Sequence, residues 1–312
     1  MKEGVLRRLR WMLLIGAAGF GILFFIQKTQ SAPDPVKYSK ENVLSPFDNK
    51  IYAIQIPDRM DFAGEPVPLS NTDVKQHLDR ELLINAYWHS QTIYILKQYP
   101  QMISYIEPIL KKNGIPHDFI YLCVAESGLQ YNAMSPDGAL GLWQFMKTTG
   151  QRYGLEISAE VDERLSFEKS TEAACRYLLD SKQRLGSWTL AAAAFNMGLD
   201  GLSEVIRKQK VNNYYDLYLN RETSRYIYRI LALKEVMNNP SQYGFNLEVN
   251  DLYNPYKYKS VKVDTTITDL AAFAQMEKTN YKMLRVLNPW IIGYTLTNTE
   301  GKLYNIKIPI AD

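Results

Sequence analysis

The sequence predicts a mainly α-helical chain that opens with a helical membrane anchor and closes with a small α+β domain. Three observations carry that expectation. Between residues 73 and 240 apolar residues recur at helical spacing, and almost no run alternates as a strand does. After residue 251 two alternating runs, Lys259-Ser260-Val261-Lys262-Val263 and Asn305-Ile306-Lys307-Ile308-Pro309-Ile310, bracket two short helical segments in a βααβ order. At the other end Lys2, Arg7, Arg8 and Arg10 precede an uncharged run from Trp11 to Ile26. Positive charge before a single apolar segment holds the N-terminus in the cytoplasm and sends the rest across the membrane.

That uncharged run falls short of the ~20 residues of a comfortable span and exceeds the core of a secretory signal. No Ala-x-Ala site follows it. Residues 1–27 are therefore read as a signal anchor, with a cleaved signal peptide as the alternative. Either one places everything after about residue 30 outside the cytoplasmic membrane. Residues 28–72 hold Pro33, Pro35, Pro46, Pro57, Pro66 and Pro68, the mark of a linker wrapping into a domain. Within it Ile51–Ile56 reads as a short strand.

A chain of 312 residues allows one large and one small domain, here 73–245 and 251–312. Its 46% apolar and 22% charged content is that of a globular protein. A net charge of +3, with no Lys/Arg cluster beyond the N-terminus, argues against nucleic acid. Cys123 and Cys175 fall inside apolar helical patterns and read as buried thiols; an oxidising compartment leaves a disulfide open. Two cysteines with His77, His89 and His117 give no metal spacing, so neither a metal nor another cofactor is expected.

The helices follow in order. Asp79–Leu96 carries Leu82, Leu83, Ala86, Tyr87, Ile93 and Tyr94 at helical period. Tyr99–Leu110 is stopped by Asn113-Gly114. Pro116–Ser127 reads as a buried helix around the apolar run Phe119–Ala125, with proline suited to a first turn. Leu155–Ser166 is acidic and reads as surface. Thr171–Leu185 follows Ser170 as N-cap. Trp188–Asn196 is alanine-rich and ends at Gly198, and Glu222–Met237 ends at Asn238-Asn239-Pro240. The small domain is expected to hold helices at Thr268–Gln275 and Tyr281–Leu287.

The stretch Asp118–Met146 organises the rest. Its apolar run Phe119–Ala125 ends in one carboxylate, Glu126, with Gly128 close behind. A carboxyl at the end of an apolar helix is partly desolvated, and desolvation favours the protonated form. A proton-bearing acid at neutral pH is what cleavage of a glycosidic bond requires. The plain alternative is a helix-end carboxylate with a local partner. Downstream lie Ser135 in a Ser-Pro-Asp-Gly turn, Gly141-Leu142-Trp143-Gln144-Phe145-Met146, Ala194-Phe195-Asn196-Met197-Gly198 and Glu222-Thr223-Ser224-Arg225-Tyr226.

In that order, Glu-Ser, Gly-Leu-x-Gln-Phe-Met, Ala-(aromatic)-Asn-x-Gly and Glu-Thr-x-x-Tyr resemble the lysozyme-like lytic transglycosylases of glycoside hydrolase family 23. The resemblance covers roughly residues 56–240. It implies a lysozyme-like all-α catalytic domain at 73–245, on the periplasmic side of the envelope and tethered to the inner membrane by residues 11–26. It implies a carbon–oxygen lyase that cuts the MurNAc-β-1,4-GlcNAc bond of peptidoglycan, with Glu126 acting as acid and then as base to leave 1,6-anhydroMurNAc ends. Residue by residue, it implies that Ser135 hydrogen-bonds the catalytic carboxyl and that Gln144 contacts sugar. Met146, with Phe145, would form a cleft wall, and Asn196 would touch an acetamido group. Glu222 would border the cleft, and the Tyr226 hydroxyl would reach the carboxylate. The plain alternatives are a turn serine, a structural amide, core side chains, a helix C-cap, a first-turn carboxylate and a core tyrosine. Phe195 stands where the family carries tyrosine.

Tyr214-Tyr215-Asp216-Leu217-Tyr218-Leu219 reads as a packing segment or a groove lining. The C-terminal βααβ order, with Leu287-Asn288-Pro289 and a closing Ile-Pro, resembles a LysM module and so implies binding of N-acetylglucosamine chains. Its opening, Val263-Asp264-Thr265-Thr266-Ile267, departs from the usual form. The expected partners are glycan strands and, through the N-terminus, the membrane; the expected state is a monomer. Two other functions stay open. One is a goose-type hydrolase, which needs a second carboxylate roughly 6.5–9.5 Å away, from Asp137 or Glu222. The other is an inactive wall-binding protein.

Overall fold

The structure, a computed structural model, describes residues 53–310. The expected anchor at 1–27 and the first two residues of the expected strand at 51–56 lie outside the described residues, and residues 53–56 form no strand. A tight hairpin of β1 (Asp61–Phe62) and β2 (Glu65–Pro66) leads in. Eight helices then follow: α1 Thr72–Tyr87, α2 His89–Lys112, α3 Phe119–Ser127, α4 Lys147–Arg152, α5 Phe167–Leu185, α6 Trp188–Met197, α7 Leu199–Gln209 and α8 Thr223–Asn238. The C-terminal part is β3 Tyr258–Val263, α9 Leu270–Met276, α10 Tyr281–Leu287 and β4 Tyr304–Pro309. No helix among the described residues is long and apolar enough to cross a membrane.

Phe119 to Val124 of α3 are all buried, so this helix has no solvent face and its apolar run needs no polar stripe. The helix begins three residues later than expected, because 116–118 form a turn before it, and it closes at Gly128 with φ 58. Helix α8 packs along it. In α6 four successive alanines, Ala191 to Ala194, are buried and allow close approach of its neighbours.

Several expectations change. The helix expected over 79–96 is broken at Trp88 (φ −85, ψ 60), and α2 runs on through Pro100 and Pro108. Helix α5 starts at Phe167, because Ser166 rather than Ser170 accepts the Lys169 N–H; Ser170 donates back to the Ser166 carbonyl at 2.6 Å. Helix α7 was not anticipated.

Residues 155–166 are not surface, since Asp162, Glu163 and Arg164 are buried. Arg164 pairs with Asp162 (Nη2–Oδ2 2.7 Å) and donates Nη1 to the carbonyls of Gly138 (3.0 Å) and Phe145 (3.2 Å). Buried charge survives when it is paired and hydrogen-bonded in this way.

Strands β3 and β4 pair antiparallel with Val261 opposite Ile306. They close a second core of Val263, Leu270, Leu284, Ile291, Leu296, Ile306 and Ile308, which also takes in Val161 from the helical part. The join is polar as well. The Asp162 N–H donates to Trp290 O (2.8 Å), the Ile292 N–H to Glu160 O (2.8 Å), and the Thr295 hydroxyl to the Glu160 carboxylate. Lys307 forms an ion pair with Glu168, and its ammonium sits 4.3, 5.0 and 5.2 Å from the ring centres of Tyr105, Tyr258 and Phe167. Cys123 and Cys175 are buried free thiols, so no disulfide joins them. Burial pushes the Cys175 thiol up to about 12.

Replacing Arg164 with Met is expected to leave Asp162 buried without its cation and to strip two carbonyls of their donor. The expected cost is about 3–5 kcal/mol, read as a lower midpoint in urea unfolding. A loss below about 1 kcal/mol would mean that desolvation cancels the attraction of the pair.

Candidate active site

Glu126 occupies the last turn of α3, where the buried helix surfaces. Gly128 turns the chain away, and a Cβ there would lie 2.8 Å from Gln91 Nε2. Residues 129–146 then fold back through bridges joining Met134, Leu140 and Phe145. Gly141 lies against the backbone of Arg164, and any side chain there would overlap the Arg164 carbonyl.

The Glu126 carboxyl accepts a hydrogen bond from the hydroxyl of Tyr226, a residue buried in α8. Burial pushes Glu126 up to about 7; the Tyr226 hydroxyl and the charge of Arg229 pull it back, and the charge of Glu222 adds to the rise. The Tyr226 phenol is itself held well above its ordinary range by burial and by Glu126. A carboxyl raised to about 7 is populated in both protonated and ionised forms near neutral pH, which suits a group that donates and accepts protons.

The other expected site residues divide into two sets. Asn196, at the end of α6, donates Nδ2 to Glu222 Oε1 (3.0 Å) and accepts from the Thr223 hydroxyl (2.8 Å). It therefore joins the ends of α6 and α8, and it brings Glu222 to the rim where its charge reaches Glu126. Ser135 and Gln144 serve their own loop. The Ser135 hydroxyl accepts the Ala139 N–H (3.0 Å) and makes no hydrogen bond to Glu126. Gln144, held at φ 47, gives its amide nitrogen to the carbonyls of Ala133 and Gly141, each at 2.8 Å. Met146 is 43% exposed at the start of α4, and Phe145 is buried. Asp137 is exposed. The Phe195 ring lies edge-on to Tyr177 (5.2 Å), Phe145 (5.7 Å) and Trp143 (6.0 Å), a packing role that needs no hydroxyl. In the aromatic segment Tyr214 packs and donates to Thr223 O (2.7 Å), while Tyr218 is exposed.

Some supporting residues had no signal in the sequence. The Glu65 carboxylate, beside the lead-in hairpin, accepts the N–H groups of Trp188 (2.6 Å) and Thr189 (2.9 Å) and the Thr189 hydroxyl (2.7 Å). It thereby caps the helix whose far end carries Asn196. Burial raises the Glu65 carboxyl, but those donors outweigh it and hold the group below the usual range. Arg225 reaches Glu81, buried on α1, at 2.7 Å. Both contacts join residues more than a hundred positions apart, which no local pattern shows. Among the described residues no cluster of three or more His, Cys, Asp or Glu is arranged to hold a metal.

Residues 104–217 match the transglycosylase SLT domain, and residues 259–312 match the soluble lytic transglycosylase C-terminal LysM-like domain. The chain is also similar to the membrane-bound lytic murein transglycosylase D proteins of Escherichia coli K12 and of E. coli O6:H1. With each it is 28% identical over 260 residues, covering 80% of this chain and 55% of the relative. The chain thus spans about half the length of the curated relatives it matches. The helix bearing Glu126 lies inside the region similar to the SLT domain, and the βααβ unit fills the region similar to the LysM-like C-terminal domain.

Proposed function

We propose that the chain is a peptidoglycan lytic transglycosylase that cuts the MurNAc-β-1,4-GlcNAc bond with Glu126 as its single acid and base. The observation that carries this reading is the Glu126 carboxyl itself, raised to about 7 by burial and held by the Tyr226 hydroxyl within the matched SLT region. Protonated Glu126 gives its proton to the oxygen leaving C1 of the muramic acid. The carboxylate so formed takes the proton of the C6 hydroxyl on the same ring. That oxygen bonds to C1, the glycosidic C–O bond breaks, and the products are a 1,6-anhydro end and a free hydroxyl. No water is consumed, and one carboxyl suffices.

Asn196, fixed by Thr223 and Glu222, is suited to an acetamido group, and the exposed Met146 to a cleft wall. Ser135 and Gln144 hold the loop that bears them, which leaves the Gln144 carbonyl oxygen for sugar. Glycan strands are the proposed partner of the LysM-like domain as well. The basic-then-apolar N-terminal segment, together with relatives named as membrane-bound, supports a periplasmic, inner-membrane-tethered location.

A hydrolase remains the second reading, because Glu222 is a second carboxylate whose charge reaches Glu126. Mass spectrometry of digested sacculi separates the two: anhydro ends support the transglycosylase, and water-added reducing ends support the hydrolase. Glu126→Gln is expected to lower turnover by about 10²–10⁴-fold while sacculus pelleting persists. Clearing by that variant at the wild-type rate would remove Glu126 from the acid role.

The pH profile gives an independent check. The acid must be protonated, so kcat/KM is expected to fall as pH rises through about 7. The Tyr226 hydroxyl stabilises the charged carboxylate. Tyr226→Phe therefore raises the Glu126 pKa, and the alkaline limb moves to higher pH. A downward move would show that this hydrogen bond does not favour the ionised form.

A further inference from the structure

Arg229 lies one turn beyond Tyr226 on α8, its guanidinium 5.8 Å from the Tyr226 ring centre. Glu222, Tyr226 and Arg229 follow at i, i+4 and i+7, so they share one face of this segment. Arg229 is half-buried. Among the described residues it makes no hydrogen bond and no ion pair. Other cations of the same helix are matched: Arg225 reaches Glu81 at 2.7 Å, and Lys234 reaches Asp118 at 2.8 Å and Asp61 at 3.2 Å.

A lone cation beside a general acid opposes the acid's task. The charge of Arg229 favours the ionised form of Glu126, whereas donation needs the protonated one. The neighbours that act on the Glu126 carboxyl are Tyr226, Arg229 and Glu222 from the α8 segment, with Cys123 beside it on its own helix. None of them neutralises Arg229 by direct contact. A planar guanidinium with donors to spare is matched to a carboxylate. The substrate proposed above brings carboxylates of its own, on the lactyl ether of muramic acid once peptides are removed and on the stem peptides while they remain. A neutral glucosamine polymer brings none.

We propose that Arg229 is a specificity residue that pairs with a carboxylate of the bound strand. The proposal rests on the peptidoglycan reading and adds what kind of strand the site selects. It also gives the apposed charge a use. A substrate carboxylate on Arg229 cancels the pull on Glu126, so the acid keeps its proton better with a strand bound than without one. Binding of the right strand then readies the acid, and a neutral strand does not.

The test uses four strands: intact strands with stem peptides, the same strands with carboxyls converted to amides, amidase-stripped strands that keep only the lactyl carboxylate, and stripped strands after amidation. The measured quantity is the ratio of kcat/KM for each strand to that of its amidated form, in wild type, Arg229→Gln and Arg229→Lys. A charge-assisted contact predicts a wild-type ratio of about tenfold or more, a ratio near one in the Gln variant, and an intermediate ratio in the Lys variant. Dependence on Arg229 in the intact pair alone assigns the stem-peptide carboxylate; dependence in the stripped pair assigns the lactyl group. In Arg229→Gln the alkaline limb of kcat/KM is also expected at higher pH, which a purely structural role would not produce. A wild-type ratio near one, or a ratio unchanged in Arg229→Gln, overturns the proposal while leaving the transglycosylase reading intact. Failure of the wild type to cut any of the four strands removes both.

Discussion

A carboxyl at the mouth of a helix buried on every side is the constraint around which this fold is arranged. Phe119 to Val124 present only apolar surface, so α3 is stable only when other helices enclose it. Glu126 is carried into that enclosure by its place in the sequence. Burial favours the protonated form, and solvation favours the carboxylate. Tyr226 sets the balance with one hydroxyl, and that hydroxyl arrives from a residue 100 positions away. The geometry of the pair thus depends on how α8 lies against α3.

Three polar fixtures hold the surroundings of that pair. Glu65 caps α6 from the lead-in hairpin, and the far end of α6 presents Asn196. Lys234 ties α8 to Asp118 at the start of α3. Arg164 fastens the loop after Glu126 by its carbonyls, and its partner Asp162 is hydrogen-bonded through its backbone to Trp290 of the C-terminal part. The LysM-like domain is therefore continuous with the cleft loop through two adjoining buried residues. Its Lys307, caged by rings from α2, α5 and β3, reinforces the same junction.

What the sequence disclosed was local. The apolar run with its terminal glutamate, the alanine-rich helix and the alternating strands around two short helices each state their structure within a dozen residues. What it concealed was set by partners far along the chain. The acidic residues of 155–166 look exposed until Arg164 is found paired with Asp162 and Glu163 turned back to the Glu156 N–H. Either serine suits the N-cap of α5, and the choice of Ser166 follows from the fold. No glycine or proline marks the break at Trp88, so the sequence offers no local signal for it. The residues matched to the site by pattern, Ser135 and Gln144, proved to be bonded within their own loop.

Those bonds bear on how the loop beside Glu126 is kept in shape. A general acid works over a fraction of an ångström, and a loop of glycines and turns does not hold such a tolerance without fastening. Ser135 closes the turn at 135–139, Gln144 draws residue 133 onto residue 141, and Arg164 fixes 138 and 145 from below. Every one of these bonds ends on backbone, so together they fix the loop's path. Of the expected site residues, Ser135 and Gln144 act on the loop's own path, while the Glu126 carboxyl is held by the Tyr226 hydroxyl.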